Sequence, residues 1–407
     1  MEASLKEHDI DLFAKWAKQS PLTHRMTVAF FADFEDYRPS PDKPISIERL
    51  ISEFTAIQRR HMNVENLKID TAKIFVDGVT EGNPHANPPA LPNAASLTDY
   101  LQPQFKVDAN TQALEVIGYV DTESAACVEL RHQADANLPT MSAKDFYAEQ
   151  GFTPLQCRKF NGVYEREEIF IRDYTLALYD AGINVHSHAI GDRAVRLALD
   201  SFAEAKKQSP KSKAKVSMAH AQIMHPDDIS RVADLNVYMA FTYSWIEPFV
   251  EYQMMVSPFI DPIMSKNDLF DPAGYVYQNS YPAGSVLKAG GVLVAGSDAP
   301  VEARDPRPML NIEKAVTRKN EISGRIYNES ESISVRDILD AYTINGAAML
   351  DQQDITGSLE VGKKADFVVL SQDLLKLEEQ GKSDRISDTQ ILSTWFDGQE
   401  IYAAPRD

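Results

Sequence analysis

The sequence has few cysteines and no long apolar segment. Only Cys127 and Cys157 occur among 407 residues, in neither a Cys-x-x-Cys nor a Cys/His spacing. This argues against a disulfide framework and a thiolate zinc site, so we expect two unpaired thiols. No apolar run approaches the roughly 18 residues that a transmembrane helix needs. The N-terminal residues also lack the apolar centre of a signal peptide.

Basic residues are scarce relative to acidic ones. The chain has 41 Lys and Arg against 60 Asp and Glu, which gives a net charge of -19 at pH 7. Such a surface repels phosphate backbones and anionic lipid head groups, so we expect neither nucleic acid nor a membrane as a partner. A small-molecule substrate is expected instead. Composition does not decide whether the chain forms a homo-oligomer. Without a transmembrane run or a signal-peptide centre, we expect a cytoplasmic location, although a signal segment upstream of Met1 is compatible with the sequence.

Predicted strands and helices alternate along most of the chain. Apolar runs predict strands at 26–31, 73–76, 183–188, 215–220, 237–242 and 291–297. Helical spacing predicts helices that include 3–18, 45–60, 192–207 and 335–350. This order is typical of parallel βα units and predicts an α/β fold, a TIM-like (β/α) barrel over residues 1–350. Six strands are two short of a closed barrel, so the barrel is expected to be incomplete, with its first strands missing.

Two segments interrupt or follow this alternation. Residues 82–160 are rich in proline and asparagine, and a structureless connection of that length would be unusual in a compact domain. We therefore predict an insertion with its own small structure over the barrel mouth. Residues 351–407 predict a small C-terminal β-domain, with strands at 358–361 and 365–370. A hairpin at 393–402 is expected to turn at Asp397-Gly398.

Four residues of metal-ligand type lie at or near the ends of predicted strands. They are Lys73, His188, His220 and Asp298, each in a short motif of its own. In a β/α barrel the carboxyl ends of the strands carry the active site, so these side chains would meet at one face. Imidazole nitrogens and carboxylate oxygens are both zinc ligands, which indicates a metal hydrolase.

Five motifs in this order resemble the amidohydrolase superfamily, in particular amidohydrolase family 3, the YtcJ-like branch. They are His188-Ala-Ile-Gly-Asp192, His220-Ala-Gln222, Gly296–Val301, Ala341–Ala348 and Gly357–Leu370. The resemblance implies a distorted TIM barrel and a small β-sandwich domain assembled from both ends of the chain. It also implies one or two divalent ions, usually zinc, and hydrolysis of carbon–nitrogen (non-peptide) bonds by a metal-activated water that attacks an amide-like carbonyl.

This resemblance assigns roles to the histidines and to Asp298. His188 and His220, one βα unit apart, would ligate the ion. Asp298 would bind the ion and accept a proton from its water as the catalytic base. In the alternative interpretation the histidines are hydrogen-bonded structural residues, and Asp298 caps a turn or helix before Pro300.

Lys73 requires a separate argument because its predicted strand is apolar. A bare ammonium is costly to bury there. Converted to a carbamate, as in several amidohydrolase branches, Lys73 would become an oxygen ligand able to bridge two ions. The alternative is an ion pair with Asp77 or Glu81.

Four further residues are candidates for contact with the substrate. His186 shares the face of His188 because side chains alternate along a strand, and it could serve as a ligand or touch the substrate. Gln222, Tyr243 and Arg304 lie just beyond strand ends. For Tyr243, packing at the rim of the barrel is the alternative.

The sequence also departs from the family pattern. The His-x-His pair expected on the first barrel strand is absent, and the pair His186-Ser-His188 lies in a later motif. Together with the missing strands and half β-domain, this predicts an N-terminally truncated member. Two hypotheses follow: a hydrolase, and a non-catalytic or regulatory remnant of an amidohydrolase. Metal content would separate them.

Overall fold

The computed structural model describes residues 1–111, 113–136, 138, 140–246, 249–299, 306–320 and 323–405. The strands in these ranges are β1 (Glu2–Leu5), β2 (Met26–Phe30), β3 (Leu67–Phe75), β4 (Pro103–Val107), β5 (Leu114–Tyr119), β6 (Asn184–Ala189), β7 (Val216–His220), β8 (Tyr238–Phe241), β9 (Val292–Ala295), β10 (Phe367–Leu370), β11 (Ile391–Phe396) and β12 (Gln399–Ala403). The α-helices are α1 (Glu7–Gln19), α2 (Ile47–His61), α3 (Ala125–Asp135), α4 (Ala143–Gln150), α5 (Glu168–Asp180), α6 (Asp192–Gln208), α7 (Pro226–Asp234), α8 (Val250–Val256), α9 (Tyr275–Asn279), α10 (Ala283–Lys288), α11 (Pro308–Thr317), α12 (Val335–Tyr342), α13 (Ile344–Met349) and α14 (Leu374–Glu379). None of these helices combines the length and apolar character that crossing a bilayer requires.

A parallel sheet organises most of the described chain. Its strands lie in the order β1-β2-β3-β6-β7-β8-β9, so each is paired with the next sheet strand along the chain. Helices alternate with these strands, which confirms the predicted α/β class. The central strands β2, β6 and β7 are buried at every position, as expected for strands covered on both faces.

The prediction of six sheet strands is wrong, because the described ranges contain seven. The additional strand, β1, pairs with β2 in parallel and overlaps the start of the residues assigned to the first helix. A four-residue strand followed directly by an amphipathic helix produces no separate pattern in the sequence. The apolar residues of both elements merge into one helical window.

Helix α6 shows how the helices are held on the sheet. Its buried side chains include Val195, Leu199 and Phe202, which recur every three or four residues and form one apolar face. Burying each such side chain contributes about 1.5–3 kcal/mol. Lys206 and Lys207 in its last turn lie where cations stabilise the helix dipole.

The segment 82–160 contains the antiparallel pair β4–β5 and the helices α3 and α4. The expectation of two unpaired thiols is wrong, because Cys127 and Cys157 form a disulfide across 30 residues of this segment. Both cysteines are buried beside Val120 and Phe146 in a small core of their own. The pairing depends on how the segment folds, so cysteine spacing did not reveal it.

The C-terminal segment contains a three-stranded antiparallel sheet, β10-β11-β12. The predicted hairpin turn is confirmed, with Asp397 at φ = 49° and Gly398 at φ = 77°. The strand predicted at 358–361 is wrong, since these residues form no strand and Val361 is fully exposed. The single helix predicted over 335–350 is also wrong, because α12 and α13 are separated at Thr343.

Candidate functional site

The pairing of β3 with β6 brings the first candidate residues together. Lys73 lies opposite His186, and Phe75 lies opposite His188, in one continuous register. Residues two apart along a strand share a face, so Lys73, His186 and His188 belong to the same face of the sheet. The ring centroids of Phe75 and His188 are 4.9 Å apart.

His220 joins them through an irregular backbone at the end of β7. His220 has φ = 76° and Ala221 has φ = 41°, both in the left-handed region. Such a conformation costs about 1–3 kcal/mol in a residue other than glycine and concentrates at functional sites. The centroid of the His220 ring lies 4.7 Å from that of His188. The His220 ring also stacks in parallel on the indole of Trp245, with ring centroids 4.9 Å apart.

The hydrogen bonds of the imidazoles determine which ring nitrogens are available. His188 Nε2 lies 3.1 Å from the carbonyl oxygen of Gly78, which only accepts, so Nε2 is the donor in this hydrogen bond. His186 Nδ1 lies 2.8 Å from Ser217 Oγ. The buried Nδ1 of His220 has no hydrogen-bond partner in the described part of the chain. A metal-bound histidine commonly donates its second ring N–H to a carbonyl or carboxylate oxygen, as His188 Nε2 does to Gly78.

Burial sets the protonation of these groups. It lowers the pKa of His188 to about 3, and it also lowers the pKa of His186 and His220. Neutral imidazole is the form that binds metal ions. Burial lowers the pKa of Lys73 to about 8, although the charge of Asp298 opposes this shift. Burial raises the pKa of Asp298, and Lys73 opposes that change in turn.

Asp77 is a buried carboxylate whose role the sequence did not indicate. Its Oδ1 accepts the N–H of Ile190, and its Oδ2 accepts those of Ala95 and Gly191, all at 2.9 Å. Burial raises the pKa of Asp77 to about 7 despite these three donors. Asp77 thus joins the end of β3 to the turn after β6, rather than serving as the ion-pair partner weighed for Lys73.

The substrate candidates are placed differently from one another. Gln222 Nε2 donates to Tyr252 Oη at 2.8 Å, and Tyr252 donates to Glu81 at 2.6 Å. Glu81, the other partner weighed for Lys73, therefore takes part in this chain of hydrogen bonds. Tyr243 is completely buried in the main core. Arg304 lies outside the described residues.

An open cavity of about 950 Å³ joins several of the candidates. Lys73, His186, His220 and Asp298 line it, together with residues of β8, β9 and the C-terminal segment. Asp298 follows β9 and has φ = 51°, a second left-handed backbone among the candidates. His188 is not among the described residues that line this cavity.

The imidazole and carboxylate groups are chemically suited to bind a divalent ion, although they are not close enough together to form a complete metal site. No three histidine, cysteine or carboxylate side chains in the described ranges converge closely enough to hold an ion. Neutral imidazoles with an anchored second nitrogen, a carboxylate and the unpaired Nδ1 of His220 are nevertheless the donor types that zinc takes. Closing the ligand set would therefore require the side chains to move.

Comparisons with known proteins agree with this architecture. Residues 135–402 match the family model described as Amidohydrolase family. "Putative amidohydrolase YtcJ" of Bacillus subtilis (strain 168) is 27% identical over 252 residues, which cover 60% of this chain and 42% of that protein. The N-substituted formamide deformylase of Arthrobacter pascens is 24% identical over 239 residues, which cover 58% of this chain and 39% of the deformylase. The chain thus spans about two fifths of the length of these curated relatives.

A solved structure shows the same fold. An uncharacterized metal-dependent hydrolase from Pyrococcus horikoshii OT3 superposes with a TM-score of 0.57 at 18% sequence identity. The superposition covers 93% of this chain and 56% of the Pyrococcus chain. At this level of identity the likeness establishes the fold.

Proposed function

Since this chain belongs to the amidohydrolase family, we propose that it is a metal-dependent hydrolase of carbon–nitrogen bonds other than peptide bonds. The observation that carries the proposal is that Lys73, His186, His220 and Asp298 line one cavity at the parallel sheet. The A. pascens relative, named as a formamide deformylase, supports a C–N bond as the target.

In this proposal each residue has a defined task. His188 and His220 would supply imidazole ligands, with His188 oriented by Gly78 and His220 by Trp245. A bound divalent ion supplies Lewis acidity, which polarises a carbonyl and lowers the pKa of water. Asp298 would accept the proton of the attacking water and return it to the leaving nitrogen.

Lys73 would contribute as a carbamate. Carbon dioxide adds only to a neutral amine, and the Nζ–C bond forms as the nitrogen loses a proton. Because burial lowers the pKa of Lys73 to about 8, a substantial neutral fraction exists in mildly alkaline solution. The product replaces a buried cation with an anionic oxygen ligand, which removes the cost of burying the ammonium.

Amine release from small amides tests the proposal. The zinc-loaded protein would be incubated with N-substituted formamides, with N-acyl amines and with dipeptides as the matched peptide-bond comparison. We expect amine release from one of the first two classes, loss of that activity after chelation, and its return with zinc. Cleavage of dipeptides alone would contradict the proposed bond type, and activity that survives chelation would contradict the metal dependence.

A second candidate function is a non-catalytic or regulatory remnant of an amidohydrolase. One observation favours it: no three candidate ligands converge in the described ranges. This candidate predicts far less than one bound zinc ion per chain, and no turnover of any amide even with excess zinc.

A further inference from the structure

His186 occupies a position in the sheet that differs from those of His188 and His220. It lies on β6, opposite Lys73 of β3 on one side and Ser217 of β7 on the other. Its side chain is buried, yet it lines the cavity that Lys73, His220 and Asp298 also line. A titratable side chain at this position faces the candidate site directly.

The hydrogen bonds around Ser217 determine the tautomer of His186. Ser217 Oγ lies 3.2 Å from the carbonyl oxygen of Val185 and 2.8 Å from His186 Nδ1. A serine hydroxyl has one hydrogen, and the carbonyl of Val185 only accepts, so Ser217 donates to Val185. Ser217 therefore accepts from His186 Nδ1–H. The remaining lone pair of the neutral ring is on Nε2.

We propose that Nε2 of His186 is an additional ligand of the divalent ion and that Ser217 is its positioning residue. This inference rests on the proposed function. With Nδ1 turned to Ser217, the ring presents Nε2 on its opposite side, and His186 is among the residues that line the cavity. An imidazole whose second nitrogen is anchored in this way has the arrangement of a metal ligand, and such anchoring is worth 10- to 100-fold in affinity.

This assignment also addresses a gap in the donor set. Without His186, the imidazoles proposed for the ion would be those of His188 and His220 alone. His186 would add a third nitrogen on the strand that already carries His188. The short spacing His186-Ser-His188 would then supply two ligands from one strand, on the same face of the sheet.

His61 provides a matched comparison. It is also a buried histidine with one anchored nitrogen, because its Nε2 lies 2.7 Å from Asp11 Oδ1. His61 ends helix α2 and does not line the cavity. Replacing it tests what the loss of any buried, hydrogen-bonded imidazole does to the protein.

The experiment is an equilibrium titration of the full chain with zinc, followed by calorimetry, and with cobalt, followed by its visible absorption. The variants are His186→Gln, Ser217→Ala, Ser217→Thr and His61→Gln, each checked by circular dichroism. We expect Ser217→Ala to weaken zinc binding by about 10- to 100-fold and His186→Gln by at least as much. Ser217→Thr, which keeps the hydroxyl, should retain the wild-type affinity, as should His61→Gln. The cobalt spectrum should change in His186→Gln and remain unaltered in His61→Gln.

Unchanged zinc affinity and cobalt spectrum in both His186→Gln and Ser217→Ala would overturn the inference, while zinc binding by the wild type would leave the proposed function standing. A wild-type chain that binds no zinc would overturn the proposed function and this inference together. If His186→Gln does not fold, Ser217→Ala against Ser217→Thr decides the question.

Discussion

The imidazole of His220 lies flat against the indole of Trp245, with ring centroids 4.9 Å apart and planes inclined by 5°. This stack fixes the ring plane of a residue whose own backbone is left-handed at φ = 76°. Trp245 therefore orients the imidazole of His220 in the candidate site. Removing its indole should weaken metal binding.

Trp245→Ala should weaken zinc binding by up to about tenfold, because aromatic pairs contribute about 0.5–1.5 kcal/mol beyond their buried area. Trp245→Phe should preserve most of the affinity. Trp16→Ala is the control, since Trp16 also packs against an aromatic ring, that of Phe13, but on helix α1 and outside the cavity. The measurement is zinc affinity by calorimetry. Equal affinities in the two alanine variants would remove Trp245 from the site.

Lys73 should make metal loading depend on bicarbonate. If the lysine is carbamylated, zinc uptake should rise when bicarbonate is present and Lys73→Ala should bind less zinc under all conditions. Lys68→Ala is the matched control, because Lys68 lies on the same strand but donates to the carbonyl oxygen of Leu350. Full zinc occupancy in Lys73→Ala would exclude this lysine as a ligand.

Asp298→Asn should separate proton transfer from metal binding. The amide keeps the shape and one oxygen but cannot accept the proton, and general base catalysis typically contributes about 10² to 10⁴ in rate. We expect kcat on an accepted amide to fall by that factor, with a smaller change in zinc content. Asp261→Asn controls for a half-buried carboxylate, because Asp261 accepts the N–H of Tyr275 and Val276. Near-normal turnover by Asp298→Asn would indicate a turn-capping role.

The disulfide should stabilise the segment that contains it. Closing a loop of 30 residues should contribute about 3–4 kcal/mol to the free energy of unfolding in the chain-entropy account. The double variant Cys127→Ser, Cys157→Ser should therefore show faster proteolysis within 120–160 and a lower urea midpoint. The wild type treated with a reductant should behave like the variant. An unchanged cleavage rate and midpoint would show that the segment does not depend on the bond.

The extent of sequence-based prediction is clear from particular residues. Alternation along β6 was enough to place His186 and His188 on one face, and the turn at Asp397-Gly398 followed from local backbone preferences. By contrast, the orientation of His220 depends on two left-handed residues that a strand pattern does not predict. The stack with Trp245 depends on how the chain after β8 packs, which is a tertiary property.

Long-range pairings were the other limit. Asp77 follows a strand as an ordinary turn residue would, and its three backbone partners come from two distant segments. The pairing of Cys127 with Cys157 likewise requires the folded insertion. In both cases the partners are far apart along the chain, and no short-range sequence pattern links them. Only the folded structure brings them together.

Zinc content after equilibrium dialysis, measured per chain by elemental mass spectrometry, tests the central claim most directly. The account predicts at least one tightly held ion in the wild type, and a loss of both zinc and amide hydrolysis in His188→Ala and His220→Ala, because ligand and ion are lost together. His61→Gln should keep both zinc and activity. A wild-type chain that retains only traces of zinc, or a His220→Ala variant that retains as much zinc as the wild type, would contradict the account.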